Sequence, residues 1–331
     1  MRSMKYYAAT SWEDAVATLA KYEHAQVIAG GSDLLGWIKD DLNGPGAPRA
    51  DVMVDIRTIP NTSYIKYDAT AGLKIGALTT LTSIAESTDV QKNFPVLATA
   101  AVSPASPNIR NVGTIGGNIM QRPRCWYLRG KDFNCYKKGG DFCFSVTGEN
   151  QYHAILDGEL CYIVHPSDTA PALISLNATA NVMGPAGAKQ VPFDQFFIGP
   201  RTNVLKETVL EHNEILTEIS VPPPAPNTKS MFVKVTQREV YDFAIVSIAI
   251  AAQIENGVWK DGRVVLGGVA PTPYRATAAE DALRGKQVNE SVANDAAQKT
   301  LVKARPMSQN AYKVDIAKNL IVQTVMNLAN A

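Results

Sequence analysis

The sequence predicts an α+β protein in two parts, and three observations underlie that prediction. The stretch up to Asp55 holds one strand–turn–helix–strand unit with a glycine pair at the turn. The strand–helix alternation that a doubly wound sheet needs is not repeated beyond it. After "PPPAPNT" (Pro222 to Thr228), the best linker candidate, the pattern changes to strands followed by helices. The expected architecture is an α/β portion over residues 1–222, then a smaller domain over 229–331 of a three-stranded antiparallel sheet with helices.

The elements follow in order. "SWEDAVATLAKY" (Ser11 to Tyr22) places apolar residues at helical spacing behind a serine able to cap the start. "AQVIAGG" reads as a buried strand running into the glycine pair, "SDLLGWIKDDL" as the helix leaving it, and "DVMVDI" as the next strand. "GLKIGALTTLTSIAES" gives a strand and a helix begun near Thr80, and "FPVLATAAVS" another helix. "HPSDTAPALISLNATANVMGP" gives a helix from Ser167 and a strand; "EILTEISVPPP" is a strand stopped by prolines. Past the linker, "MFVKVTQ" and "FAIVSIAIAAQIENGVWKDGRVVLGGVAP" read as three strands, with "ENGVWKDG" as the hairpin turn. The helices "RATAAEDALRG", "NDAAQKTLVKA" and "NAYKVDIAKNLIVQTVMNLA" complete the chain.

Composition narrows the function. The 331 residues are 46% hydrophobic and 19% charged, enough for a substantial core. Lys+Arg number 32 and Asp+Glu 31, so no chain-wide positive field draws in nucleic acid or an anionic membrane. The apolar run "FAIVSIAIAA" is far short of the ~20 residues that span a bilayer, so no direct membrane insertion is expected. "MRSMKYYAATSWEDA" resembles no export leader, and four cysteines are too few for a disulfide scaffold. A cytoplasmic location is expected, with periplasmic export alongside a signal-bearing partner as the alternative.

Two glycine turns carry the first chemical signal. Gly30 and Gly31 stand between a strand and a helix, where bare backbone can approach a pyrophosphate. Asp55 at the end of the next strand imitates a Rossmann unit, but Gly30, Gly31 and Gly36 do not fit G-x-G-x-x-G. In the second turn, "RNVGTIGGNI", Gly113, Gly116 and Gly117 sit among Thr114 and Asn118, small polar groups suited to phosphate or ribityl oxygens. Either turn alone reads as a loop that needs unusual backbone angles. Together they suit a dinucleotide, which has two ends and a pyrophosphate to hold, and the pattern by itself points no further than an anionic cofactor.

Taken colinearly, "VIAGGSDLL", "GALTTLTSIA", "IRNVGTIGGNI", "HPSDTAPALISLNA" and "VTQREVYDFAIVSIAIAA" resemble the FAD-binding medium subunit of the molybdenum hydroxylases, the xanthine and carbon monoxide dehydrogenase group. The resemblance implies a two-subdomain FAD-binding domain of the vanillyl-alcohol-oxidase type, followed by the flavoprotein C-terminal domain. By match of motif, Val27, Ile28, Ala29, Gly30, Gly31, Ser32, Asp33 and Leu34 would hold FAD. So would Gly113, Thr114, Gly116, Gly117, Asn118 and Ile119, with Thr80 and Arg110 beside them. Asp168 would bond the cofactor from the second subdomain, and Lys234 would lie near the flavin.

Cys125, Cys135, Cys143 and Cys161, spaced C-x9-C-x7-C-x17-C, pose a separate question. Most members of the group lack the segment from Arg122 to about Gly158, so residues 122–161 read as an insert. Zinc prefers tight C-x2-4-C pairs, disulfides suit a secreted chain, and inert thiols usually scatter through a core. Four thiolates close to a redox flavin suit an iron–sulfur cluster, with Arg122, Arg124, Arg129, Lys137 and Lys138 expected to offset its charge and lower the thiol pKa values. "QRPRCWYLRG", "NCYKKGGDFC" and "CYIVHPSD" are similar to the branch whose insert binds a [4Fe–4S] cluster through four cysteines, including the periplasmic aldehyde oxidoreductase flavoprotein. That resemblance implies an electron-transfer subunit, with no catalytic residue of its own. It would work beside a molybdenum-cofactor large subunit and a [2Fe–2S] small subunit, and would pass electrons through FAD to an external acceptor. The reductase branch acting on 4-hydroxybenzoyl-CoA, with reversed electron flow, and a non-catalytic zinc- or nucleotide-binding protein are the alternatives. His153, His165 and Tyr241 are weaker candidates for contact with the cofactors.

Overall fold

The computed structural model describes residues 3–42, 44–47 and 49–330. The first layer is β1 (Lys5–Ala8), α1 (Trp12–Lys21), β2 (Ala25–Ile28), α2 (Leu34–Lys39) and β3 (Val52–Asp55). Its strands form a parallel sheet in the order β1-β3-β2, so β3 runs down the middle and is buried throughout. Ser11 starts α1 as the sequence predicts: its Oγ accepts from the Asp14 N–H at 3.1 Å, a cap worth about 1 kcal/mol. Ala15, Val16 and Leu19 bury one face of that helix against the sheet.

The second layer comprises β4 (Ile65–Asp68), β5 (Gly72–Gly76), α3 (Leu81–Glu86), α4 (Thr88–Asn93), α5 (Pro95–Val102), α6 (Pro107–Arg110) and α7 (Ile115–Ile119). The insert contributes α8 (Trp126–Arg129) and two single 3-10 turns at Tyr136–Lys138 and Phe144–Val146. The chain returns through α9 (Thr169–Ser175), β6 (Thr179–Gly184), β7 (Gly187–Pro192), α10 (Phe193–Phe196) and β8 (Ile215–Val221). The strands form an antiparallel sheet in the order β4-β5-β8-β6-β7. Pro95 opens α5, which buries Val96, Leu97, Ala98, Ala100 and Ala101 and leaves Pro95, Thr99 and Val102 to solvent; burying a Leu97 or Val96 side chain there contributes about 1.5–3 kcal/mol.

The remainder is β9 (Thr228–Val235), β10 (Val246–Glu255), β11 (Val258–Gly267), β12 (Tyr274–Arg275), α11 (Thr277–Leu283), α12 (Glu290–Leu301) and α13 (Tyr312–Asn330). Here β12-β11-β10-β9 make an antiparallel sheet, and the apolar run from Phe243 proves to be its inner strand β10, buried on both faces. Two details differ from the sequence reading. A two-residue fourth strand, β12, joins the expected three. The hairpin turn is only Asn256-Gly257, both at positive φ, while Val258 to Asp261 of the expected turn pair in β11. Trp259 explains the second difference, since its ring is wholly buried and must face the core.

Candidate functional site

The two glycine turns meet. Gly30 packs so tightly on the second turn that an added Cβ would stand 2.1 Å from the Val112 carbonyl oxygen. Gly31, at φ +72°, turns the chain into α2. Gly116 lies against Ala77, and the Thr114 Oγ caps α7 by accepting from the Gly117 N–H at 3.1 Å. Between the turns runs a cleft of about 860 Å³, the scale of a large-ligand site.

All of Val27 to Leu34 line this cleft, as do Gly113, Thr114, Gly116, Gly117, Asn118, Ile119 and Asp168. Three predicted residues stand behind it. Thr80 bridges to Thr114 and caps α3. Arg110 donates to the Pro104 carbonyl at 2.9 Å, fixing a lining residue. Lys234 reaches the Asp168 carboxylate at 2.7 Å and the Asp242 carbonyl at 2.8 Å. Burial raises the Asp168 carboxyl, opposed by the Lys234 ammonium and the Ser103 hydroxyl beside it. Asn118 is held in one orientation: its Oδ1 accepts from Ser167 Oγ at 2.6 Å and Thr169 Oγ1 at 2.7 Å. With the oxygen so occupied, the amide N–H pair is left to donate elsewhere. Trp37, Gln121, Tyr241, Phe243 and Glu207 also line the cleft. Of these the sequence pointed only to Tyr241, which is more than half exposed and at positive φ.

The four cysteines, separated in sequence, line one pocket with Leu128, Lys137, Phe144, Ser145 and His153. All four are free thiols, and the space between their neighbours is about 10 Å³. Among the described residues, no group of three or more His, Cys, Asp or Glu is arranged to hold a single metal ion. His153 Nε2 is 3.3 Å from Cys125 Sγ, while its Nδ1 is buried without a partner. His165 is buried outside both linings, edge-on to Phe197, with its Nε2 also unpartnered.

The basic residues of the insert do not bring the Cys125 and Cys161 thiols down as expected. Burial pushes the Cys125 and Cys161 thiols up to about 12, outweighing the effect of Lys137 on Cys161. The cations are engaged elsewhere. Arg124 and Arg129 bond Asp33 of the first glycine turn, Arg129 at 2.6 Å. Arg122 forks onto Glu207, which Lys137 also reaches at 3.0 Å, and Lys138 donates to the Gly130 carbonyl. Burial alone would raise the Asp33 carboxyl; Arg124 and Arg129 outweigh it and hold it below the usual range.

Comparison with known proteins follows the same outline. Residues 2–224 match the FAD binding domain in molybdopterin dehydrogenase, and residues 231–328 the CO dehydrogenase flavoprotein C-terminal domain. The chain is 30% identical to the aldehyde oxidoreductase FAD-binding subunit PaoB of Escherichia coli over 98% of each chain. It is 28% identical to the carbon monoxide dehydrogenase medium chain of Hydrogenophaga pseudoflava, over 99% of this chain and 96% of that one. A solved carbon monoxide dehydrogenase from the same organism superposes with a TM-score of 0.75 at 28% identity, covering 99% and 97% of the two chains. Two apposed glycine turns on a ligand-sized cleft, within domains matched along nearly the whole length, place this oxidoreductase chain among the FAD-binding medium subunits of the molybdenum hydroxylase family.

Proposed function

We propose that the chain is the FAD- and [4Fe–4S]-binding electron-transfer subunit of an aldehyde-oxidising molybdenum hydroxylase. It would work with a molybdenum-cofactor large subunit and a [2Fe–2S] small subunit and pass their electrons to an external acceptor. The observation that carries this reading is the gathering of four cysteines, far apart in sequence, into one pocket beside the FAD cleft. The relative named as an aldehyde oxidoreductase subunit supports the substrate class.

The donor set fits a cluster in kind and number: four cysteines, no competing carboxylate in the lining, and burial that keeps the Cys125 and Cys161 thiols neutral unless iron takes their protons. A cubane holds each thiolate on a different iron, so the sulfurs need not converge on one point as they would for zinc. The free space among the lining residues is about that of one water. In the cleft, the glycine turns would take the pyrophosphate, and Asn118 would donate to the cofactor through its amide. Asp168 and Lys234 would fix the wall contributed by the second subdomain. The flavin, when bound, supplies the redox chemistry; the protein supplies position, electrostatics and exclusion of water.

The test is anaerobic purification followed by an absorption spectrum, iron and labile-sulfide analysis, and mixing of the isolated chain with aldehydes. Flavin bands over a broad iron–sulfur shoulder, with flavin bleaching by aldehyde only when the partner subunits are added, are expected. Fewer than about two irons per chain defeats the cluster assignment. Rapid bleaching by the chain alone defeats the subunit assignment.

A further inference from the structure

The insert and the first glycine turn are one mechanical unit. Asp33, inside that turn, accepts three hydrogen bonds from the insert: from the Arg122 backbone N–H at 2.8 Å, from Arg129 Nη2 at 2.6 Å and from Arg124 Nη1. Its side chain is 17% exposed, as is that of Arg122, and that of Arg129 is 16%. Trp37 of α2, the helix that leaves the turn, lies beneath two of these cations, 4.8 Å from Arg122 and 4.2 Å from Arg129. The same indole packs in one apolar cluster with Leu128, Cys135 and Cys125, which line the cysteine pocket. A continuous path of packed and ion-paired groups therefore joins two of the four sulfurs to the backbone of the FAD turn.

We propose that Asp33 is a positioning residue through which the state of the cysteine pocket sets the affinity of the first glycine turn for FAD. Reciprocally, bound FAD raises the affinity of the pocket for iron. The proposal rests on the cluster assignment above. Holding the sulfurs on a cluster fixes Leu128 and α8; these fix the Arg129 guanidinium and Trp37, and both fix Asp33 and the entry to α2. Release of the pocket frees the arginines and leaves the turn without its support.

The experiment uses the full chain. Wild type and Asp33→Asn, purified anaerobically, are freed of flavin by dialysis against concentrated bromide. Half of each is then stripped of iron with ferricyanide and a chelator, and all four samples are titrated with FAD. The iron-free wild type is expected to bind FAD about tenfold more weakly than the iron-bearing form. In Asp33→Asn both forms should bind weakly, with their ratio near one. A purely structural role for Asp33 would leave that ratio at its wild-type value, which overturns the proposal, as does equal FAD affinity in the two wild-type forms. The wild-type comparison stands by itself if the variant does not fold. Absence of iron from freshly purified wild type is a different result and removes the cluster assignment, and this proposal with it.

Discussion

Gly30 and Val112 touch backbone to backbone, and this contact holds the two glycine turns face to face. A Cβ on Gly30 would meet the Val112 carbonyl carbon as well as its oxygen, and neither can move without displacing the second turn. Gly30→Ala should therefore part the turns and yield a chain that is both flavin-poor and destabilised by several kcal/mol. Flavin content and urea unfolding measured together check this; a variant stable as wild type with full flavin would refute it.

Gly117 makes the complementary case. A Cβ there would meet only the Thr114 hydroxyl, at 3.1 Å, although the residue lines the cleft. Gly117→Val should fold but lose most of its FAD, because bulk enters the cleft without entering the core. Retention of full flavin would remove the second turn from the cofactor site.

Asp168 and Lys234 tie α9 to β9, and both side chains are less than a tenth exposed. Asp168→Ala leaves an ammonium buried without its counter-charge and should cost about 3–5 kcal/mol. The double variant Asp168→Ala with Lys234→Met should recover much of that loss, which a thermodynamic cycle from denaturant unfolding will measure. Additive losses would mean that the pair is not coupled.

Lys313, fully buried on α13, donates to three carbonyls: Gly268 at 2.6 Å, His153 at 2.9 Å and Tyr152 at 3.3 Å. Lys313→Met keeps the bulk and orphans those oxygens. A loss of about 3 kcal/mol is expected, with faster proteolysis in the insert ahead of global unfolding. Limited digestion of native protein reads this directly, and an unchanged insert would contradict it.

Part of the pH dependence of stability follows from His165. Burial lowers its imidazole from 6.5 to about 4, so the unfolded chain takes up a proton that the folded chain refuses. Its contribution is complete above pH 6.5 and is lost as pH falls from there towards 4, by about 3 kcal/mol in all. His165→Gln, which keeps an acceptor for the Ser167 N–H, should flatten that part of the profile. Identical slopes for the two proteins would show that other groups govern the acid limb.

How much of this was legible in the sequence depends on what each residue faces. The strands that the sequence reading misses, β1, β4, β7 and β12, are all edge strands: β1 and β7 are almost wholly exposed, β12 is two residues long, and the alternation of β4 covers only four residues. Buried strands such as β3 and β10 announced themselves as apolar runs. The glycine turns were legible because bare backbone at a strand end has few other uses. Asp33 was read as part of a cofactor motif, but its ties to Arg124 and Arg129 were hidden: they span some ninety residues, and charge composition does not say which cation meets which anion. For the same reason the sequence assigns the basic residues of the insert to the thiols, whereas Arg122, Arg124, Arg129 and Lys137 pair with carboxylates that line the cleft.

One wall of the cysteine pocket depends on residues made much later in translation. The segment from Asn150 to Ala154, which carries His153, is pinned by Ser308, Gln309, Asn310, Tyr312 and Lys313. A chain still on the ribosome, with residues 308–313 not yet made, lacks every one of those fasteners. The wall of the cysteine pocket that carries His153 is therefore completed only when the polypeptide is nearly finished, from a part of the sequence that supplies none of the four sulfurs.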